Sequence, residues 1–185
     1  MNQIDPVHSN RKKVLFIPYN YPPRGGVAVL RTIKFIKYLT KFGWNPSVLT
    51  LQASNYMMKD VTLGHEVQDS VRIYRVRQCG RLFMKLLAKA GLGNWIQFPD
   101  KEANWVITAF PRALGIIKRE KIPIIYTTSP PHSSHLVGYL CKRVTGVKWI
   151  ADFRDLWCGN PFFVPDKGKE KHLHEKLEKK VIAGA

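Results

Sequence analysis

Short apolar runs separated by longer amphipathic stretches set the pattern of this chain. Residues 14–18 are all apolar, which is typical of a strand buried on both faces of a parallel sheet. Residues 71–76 alternate between apolar and polar side chains and predict a strand with one exposed face. Further strands are predicted at residues 45–51, 122–127 and 147–152.

Helical spacing of apolar residues fills most of the segments between these strands. Helices are predicted at residues 27–42, 81–90, 100–120, 134–146 and 166–182. Pro111 lies inside the third of them, where a kink or a break is expected because proline lacks the amide hydrogen that a helix needs. The helix at residues 27–42 is predicted to bury Val29, Leu30, Ile33, Ile36, Tyr38 and Leu39.

This alternation of strands and helices predicts an α/β fold, a Rossmann-like open and mostly parallel sheet flanked by helices. We divide the chain into a polar leader, residues 1–12, and one domain, residues 13–185. Residues 181–185 come where another strand is expected to begin, so we expect the chain to be cut short there. In such sheets ligands bind beyond the carboxyl ends of the strands, where three loops of this chain fall.

Composition adds a strong basic charge. The 185 residues include 30 Lys and Arg against 13 Asp and Glu, a formal charge of +17, so the partner is expected to carry negative charge: nucleic acid, an anionic membrane or phosphate groups. The three cysteines lie far apart and suit reduced thiols. Neither a signal peptide nor a membrane span is evident, which favours the cytoplasm.

The first loop joins the first strand to the first helix and contains Arg24, Gly25 and Gly26. Paired glycines let a backbone approach a ligand closely, and the helix that follows offers free amide groups to an anion, with Arg31 as a further positive charge. The alternative is a tight turn without a ligand. The spacing differs from G-x-G-x-x-G, and no acidic ribose ligand is evident, so a nicotinamide cofactor is disfavoured.

The second loop, residues 127–135, combines hydroxyl groups such as that of Ser129 with His132 at the end of a buried strand. His132 is a candidate to orient a sugar hydroxyl or to accept a proton. In the alternative interpretation Ser133 or Ser134 caps the next helix and His132 is merely exposed. His135 is expected to pack within the helix, and no third ligand at metal-site spacing accompanies the two histidines.

The third loop carries Asp152, Arg154 and Asp155 after the last predicted strand. Two carboxylates around an arginine suit a structural ion-pair network, or an arginine that meets a phosphate while an acid orders it.

The segment of residues 81–90 is both cationic and apolar. Arg81, Phe83, Lys85 and Lys89 make it a candidate for contact with an anionic membrane, the alternative being a core helix whose lysines reach outward. Nucleic acid is not expected as a partner, because the basic residues are spread over many segments and no nucleic-acid module is evident.

Together, four motifs resemble the N-terminal half of family 4 glycosyltransferases, which have the GT-B fold. The resemblance covers about residues 12–185. Its motifs are residues 13–23 with Gly25, Gly26 and Arg31, Phe98-Pro99-Asp100 with Trp105, residues 125–132, and residues 150–157.

The resemblance implies one half of a two-domain enzyme that moves a sugar from a nucleotide-sugar to an acceptor, with retention and without a metal or other cofactor. The first domain of such enzymes mainly holds the acceptor. The resemblance implies that this acceptor is a glycan or a lipid-linked glycan. It also implies a role in surface polysaccharide synthesis at the inner face of the cell membrane. The family's C-terminal domain, with its donor-binding glutamates, is absent from this chain. The chain by itself is therefore expected to be inactive.

Carried over to this sequence, Gly25 and Gly26 would approach the donor diphosphate, and His132 would lie near the transferred sugar as a catalytic candidate. The cleft would be completed by Arg31, Ser129, Asp152, Arg154 and Asp155. The alternative that stays open is a non-catalytic domain that binds an anionic membrane or a partner subunit.

Overall fold

Five parallel strands form one open sheet in the computed structural model, which describes residues 12–52, 63, 71–92, 97–161 and 168–185. The strand order is β3-β2-β1-β4-β5, and every neighbouring pair is parallel. This is the predicted Rossmann-like α/β fold. The strands are β1 (Lys12–Ile17), β2 (Trp44–Leu51), β3 (Arg72–Val76), β4 (Ile124–Ser129) and β5 (Lys148–Phe153).

Helices connect these strands and pack on both faces of the sheet. They are α1 (Val27–Lys41), α2 (Arg81–Leu87), α3 (Val106–Glu120), α4 (Ser133–Thr145) and α5 (Gly168–Gly184). A π-helical turn, Ala88–Leu92, follows α2, and a 3-10 turn, Ala103–Trp105, precedes α3. Left-handed residues follow three helix ends: Gly43 (φ 77°), Lys121 (φ 54°) and Gly146 (φ 69°). Glycine adopts this conformation without strain, which explains two of the three.

Alternation along the strands divides the core into two layers, because successive side chains point to opposite faces. On one face α3, α4 and α5 cover the strands with a layer that includes Leu15, Leu49, Ile125, Val137 and Val181. On the other face α1 packs through Val29, Ile33 and Ile36 against Val14, Phe16 and Val48.

Several expectations about the elements are corrected. Tyr38, predicted to be buried, is 54% exposed, and Thr32 is buried instead. Of the kink or break expected at Pro111, the break does not occur, since α3 is continuous from Val106 to Glu120. Thr128 and Ser129, predicted in a loop, continue β4, because their amide and carbonyl groups extend the pairing with β5.

Boundaries of other predicted segments differ as well. The helix predicted at residues 81–90 gives way to the π-helical turn after Leu87, where Gly91 (φ 78°) departs from helical geometry. The predicted leader lies outside the described residues except for Lys12, which already begins β1. No helix among the described residues is both long and apolar enough to cross a membrane.

Candidate functional site

The carboxyl ends of β1, β4 and β5 bring the three loops of interest to one edge of the sheet. β4 lies between β1 and β5, so the loops that follow these strands are neighbours, although the first loop comes more than 100 residues before the other two in the chain. This edge is where open α/β sheets bind ligands.

A cluster of four side chains joins α1, β4 and β5 at this edge, and we call it the Asp152 cluster. Arg31 Nη2 donates to Asp152 Oδ1 at 2.8 Å. Tyr126 OH and Thr128 Oγ1 both donate to Asp152 Oδ2, at 2.5 Å and 3.0 Å. Thr128 faces Asp152 directly in the register of β4 and β5. A single carboxylate thus links the carboxyl ends of β4 and β5 to the first helix.

Tyr126 and Thr128 were not singled out in the sequence, although their spacing on β4 was a usable signal. Residues two apart on a strand point to the same face. The Tyr126 ring packs between Phe16 and Phe35, with centroid separations of 4.7 Å and 6.0 Å. Burial, together with the hydrogen bond to Asp152 and the charge of Asp152, raises the pKa of Tyr126. Its hydroxyl therefore stays protonated and donates.

The first loop leaves the N-terminus of α1 without a side-chain cap. Gly26 occupies the N-cap position with φ 111°, and the first turn of α1 contains no acidic residue. A Cβ atom placed on Gly26 would meet no heavy atom within 4 Å, so the space beyond it is open. Gly25, just before it, is half-buried. The exposed helix end carries the partial positive charge of the helix dipole, which suits an anion.

Backbone contacts hold the first loop in place. The amide of Arg24 donates to Tyr21 O at 3.1 Å and closes a turn. Arg75, on the edge strand β3, donates to Pro22 O and, at 3.2 Å, to Leu51 O. Arg75 could not be singled out from the sequence, because its role depends on β3 lying beside β2.

The second loop buries His132 rather than exposing it. Its imidazole stacks on the Trp157 ring with centroids 4.4 Å apart and planes at 3°. Burial, and to a lesser degree the nearby His174, lowers the pKa of His132 to about 4. The imidazole is therefore neutral near pH 7, and the interpretation of an exposed His132 is wrong.

Asp100 caps α4 from a distant part of the chain. The amide of Ser133 donates to Asp100 Oδ2 at 2.8 Å, whereas α4 has no cap from a side chain at its own N-cap position. The expected cap by Ser133 or Ser134 is thus replaced by a carboxylate. Burial raises the pKa of Asp100, against the lowering effect of its hydrogen bonds. Ser129, the last residue of β4, is also buried.

The third loop is anchored to α5 through Trp157. Trp157 Nε1 donates to His174 Nδ1 at 3.1 Å. Arg154 forms an ion pair with Asp155 at 3.7 Å, while Asp152 pairs with Arg31, so the two carboxylates serve different arginines.

His135 packs in the core, as expected. Thr127 Oγ1 lies 2.8 Å from His135 Nδ1 and accepts from Trp149 Nε1 at 2.9 Å. Burial lowers the pKa of His135 to about 3. Within the described ranges no group of three or more His, Cys, Asp or Glu side chains could hold a metal ion.

The segment proposed for membrane contact exposes two of its apolar side chains. Leu82 is 84% exposed and Leu86, one turn later, 65%. Lys85 and Lys89 are exposed as well. The side chains of Arg81 and Phe83 lie outside the described residues.

No protein-family model matches this chain, and no curated protein sequence matches it either. Among solved structures, apo UGT2 of Phytolacca americana is similar over 77% of this chain and 29% of its own, with a TM-score of 0.46 and 14% identity. The glycosyltransferase SsfS6 of Streptomyces sp. SF2575 is similar over 94% of this chain and 46% of its own, with a TM-score of 0.48 and 15% identity. The chain thus spans less than half the length of either structure, and likenesses this weak carry no argument about function.

Proposed function

We propose that this chain is the acceptor-side domain of a glycosyltransferase that moves a sugar from a nucleotide-sugar to a glycan or lipid-linked acceptor. The observation that carries the proposal is the Asp152 cluster. The cluster joins residues from three motifs of the family 4 resemblance at the ligand-binding edge of the sheet. Arg31 belongs to the first motif, Tyr126 and Thr128 to residues 125–132, and Asp152 to residues 150–157. The proposed transfer retains the anomeric configuration and serves surface polysaccharide synthesis.

The donor diphosphate is assigned to the N-terminus of α1, beside Gly25 and Gly26. The N-terminus of α4 is less suitable, because the Asp100 carboxylate already accepts from its first amide. α1 has no acidic residue in its first turn, and Arg31 lies one turn into the helix. The free amides and Arg31 supply the positive charge that a diphosphate needs.

Asp152 has a positioning role in this proposal. It holds the Arg31 guanidinium 2.8 Å away, and Arg31 also lies over the Phe35 ring at 5.6 Å. An arginine held on two sides loses less freedom when it meets a phosphate.

We assign His132 to the orientation of the sugar or the acceptor rather than to proton abstraction. With a pKa of about 4 the imidazole is a weak base, but it can still exchange hydrogen bonds as a neutral group. Ser129, Arg154 and Asp155 complete the proposed cleft.

The test uses the complete product of the gene. It is incubated with radiolabelled UDP-, GDP- and ADP-linked sugars and with membrane lipids or cell-surface glycan, and label in the product is counted. Replacing Gly25 and Gly26 with valine should abolish incorporation, because the new side chains project into the space assigned to the diphosphate and because valine at position 26, where φ is 111°, strains the turn that presents the helix end. The anomeric proton coupling of the product, compared with that of the donor, tests retention.

Gly115→Ala is the matched control, since a Cβ there also meets no heavy atom within 4 Å. The control should keep full incorporation. The strain at Gly26 should lower the unfolding temperature of the valine variant, so incorporation is compared at a temperature at which every variant is folded. Undiminished transfer by the valine variant would remove the first loop from the mechanism, and no transfer from any donor would refute the proposal.

A second candidate function, binding to an anionic membrane surface, is favoured by the exposed Leu82 and Leu86 beside Lys85 and Lys89. Apolar side chains flanked by lysines suit the interface of an anionic bilayer. The protein should sediment with phosphatidylserine vesicles but not with phosphatidylcholine vesicles, and salt should weaken binding.

Replacing Lys85 and Lys89 with glutamine should weaken vesicle binding, whereas the same change at the exposed Lys179 and Lys180 of α5 should not. Equal loss in both variants would show that overall charge, rather than this segment, attracts the membrane.

A further inference from the structure

α1 carries a second apolar stripe, beside the one that it buries against the sheet. The helical period places Phe35, Tyr38 and Phe42 together, on a different side of the helix from the buried Ile33 and Ile36. Tyr38 is 54% exposed and Phe42 78%. Single exposed apolar side chains are ordinary, but a stripe of aromatic residues on one helix marks a contact surface.

The stripe continues onto the sheet beside α1. The Phe35 ring lies 6.0 Å from that of Tyr126, and Tyr126 is the register neighbour of Ile150 on β5. Ile150 is 46% exposed, whereas Trp149, which points to the opposite face, is only 5% exposed. We call the surface formed by Phe35, Tyr38, Tyr126 and Ile150 the α1–β5 strip.

The shape of this strip selects a helix. The strip lies in the angle between α1 and the strands β4 and β5 beside it. In α/β folds, a sheet face of this kind is usually covered by a second helix that packs next to the first. β5 has six residues, about 20 Å of strand, which a helix of about 13 residues spans. A flat membrane would meet the outer side of α1 before it reached Ile150 at the level of the sheet.

Charge around the strip indicates what kind of helix fits. Lys148 precedes Ile150 by two residues on the same face and is exposed, and Lys41 Nζ lies 5.5 Å over the Tyr38 ring. Both lysines are at the amino end of the strands, since α1 runs back against them. At the other end Arg31 already pairs with Asp152. Acidic side chains on a bound helix would therefore find positive partners at the lysine end.

We propose that the α1–β5 strip binds an amphipathic helix of a partner protein, with its apolar face on Phe35 and Ile150 and acidic residues near Lys41 and Lys148. The strip borders the Asp152 cluster through Tyr126 and Phe35, but the proposed contact does not depend on the proposed sugar transfer. The partner is defined by its chemistry: an apolar helical stripe with acidic residues at one end.

The experiment places a photo-crosslinking benzoylphenylalanine at position 150 of the complete gene product, in the cell from which the gene comes. The control has the same group at Val144, an apolar residue of α4 that is 58% exposed on another surface. Crosslinked peptides are mapped by mass spectrometry. We expect the group at position 150 to crosslink to one amphipathic segment of another protein that has acidic residues at one end. The yield of this crosslink should be about tenfold above the yield from Val144.

A synthetic peptide of the mapped segment then measures affinity. Ile150→Lys should weaken its binding about tenfold and Val144→Lys should leave it unchanged, since only the former places a charge in the apolar contact. Exchanging the acidic residues of the peptide for lysine should weaken it similarly. Crosslinks to lipid, to a second copy or to any other segment of the same polypeptide would overturn the proposal, as would a yield no higher than at Val144.

Discussion

Removing the Asp152 carboxylate is expected to destabilise the protein mainly through Tyr126 and Thr128, and only slightly through the ion pair with Arg31. Both hydroxyls donate to Oδ2 from partly buried positions. Hydrogen bonds to a charged group are worth about 1.5–3 kcal/mol each, less where water can replace the acceptor. The Arg31 side chain is 47% exposed, so its ion pair contributes about 1 kcal/mol or less.

We therefore expect the smallest loss of unfolding free energy for Arg31→Gln, a larger loss for Asp152→Asn and the largest loss for Asp152→Ala. We expect a loss of about 2–4 kcal/mol for the alanine variant and about half of that for asparagine, which keeps one acceptor oxygen. A protein of this size loses about 2–4 °C of melting temperature per kcal/mol, so the alanine variant should melt about 4–16 °C lower.

Urea unfolding followed by tryptophan fluorescence measures these free energies of unfolding. The Arg31→Gln and Asp152→Asn double-mutant cycle isolates the ion pair and should give a coupling of about 1 kcal/mol or less. Asp152→Asn should also lower the pKa of Tyr126, seen by ultraviolet titration, because it removes the negative charge beside the hydroxyl. A loss for Arg31→Gln as large as that for Asp152→Ala would refute this division of the energy.

Two further predictions concern the packing of α4 and the third loop. Burial lowers the pKa of His132 to about 4 and also lowers the pKa of His174. Below pH 6.5, the ordinary histidine pKa, these two side chains therefore bind more protons in the unfolded chain than in the folded protein. The contribution of these histidines to the free energy of unfolding should be full above pH 6.5 and should fall as the pH drops towards 4. Urea titrations from pH 7 to 4.5 measure this fall, which should be smaller in His174→Gln. A Cβ on Gly138 would lie 2.4 Å from Trp149 Nε1, so Gly138→Ala should cost about 1–3 kcal/mol or more, whereas Gly115→Ala should be neutral or stabilising by thermal melting.

The elements could be predicted from the sequence because their patterns are local. The all-apolar run at residues 14–18 and the helical spacing after Val27 correspond to β1 and α1. Tyr38 shows the limit of such patterns, since periodicity says that a helix has an apolar face but does not say how wide the covered face is. α1 buries Thr32 and exposes Tyr38 because of where the sheet lies beneath it.

The candidate site could be located in part. Loop composition pointed to the glycine pair, His132 and the acidic third loop, and strand order brings these loops to one edge. The individual contacts could not be predicted, because Arg31 and Asp152 are 121 positions apart and meet only when β4 lies between β1 and β5. The same holds for Trp157 and His174, which depend on how α5 returns to the sheet.

The most direct test of the central claim is an amide NMR titration of the complete gene product with UDP, GDP and ADP. The account predicts that one of these nucleotides shifts the amide resonances of Gly25, Gly26 and the first turn of α1 most strongly, with smaller shifts at Asp152. Arg31→Gln should weaken the response. Unchanged resonances in the first loop, with the main shifts at Ser133 and the start of α4, would contradict the assignment of the donor diphosphate to α1.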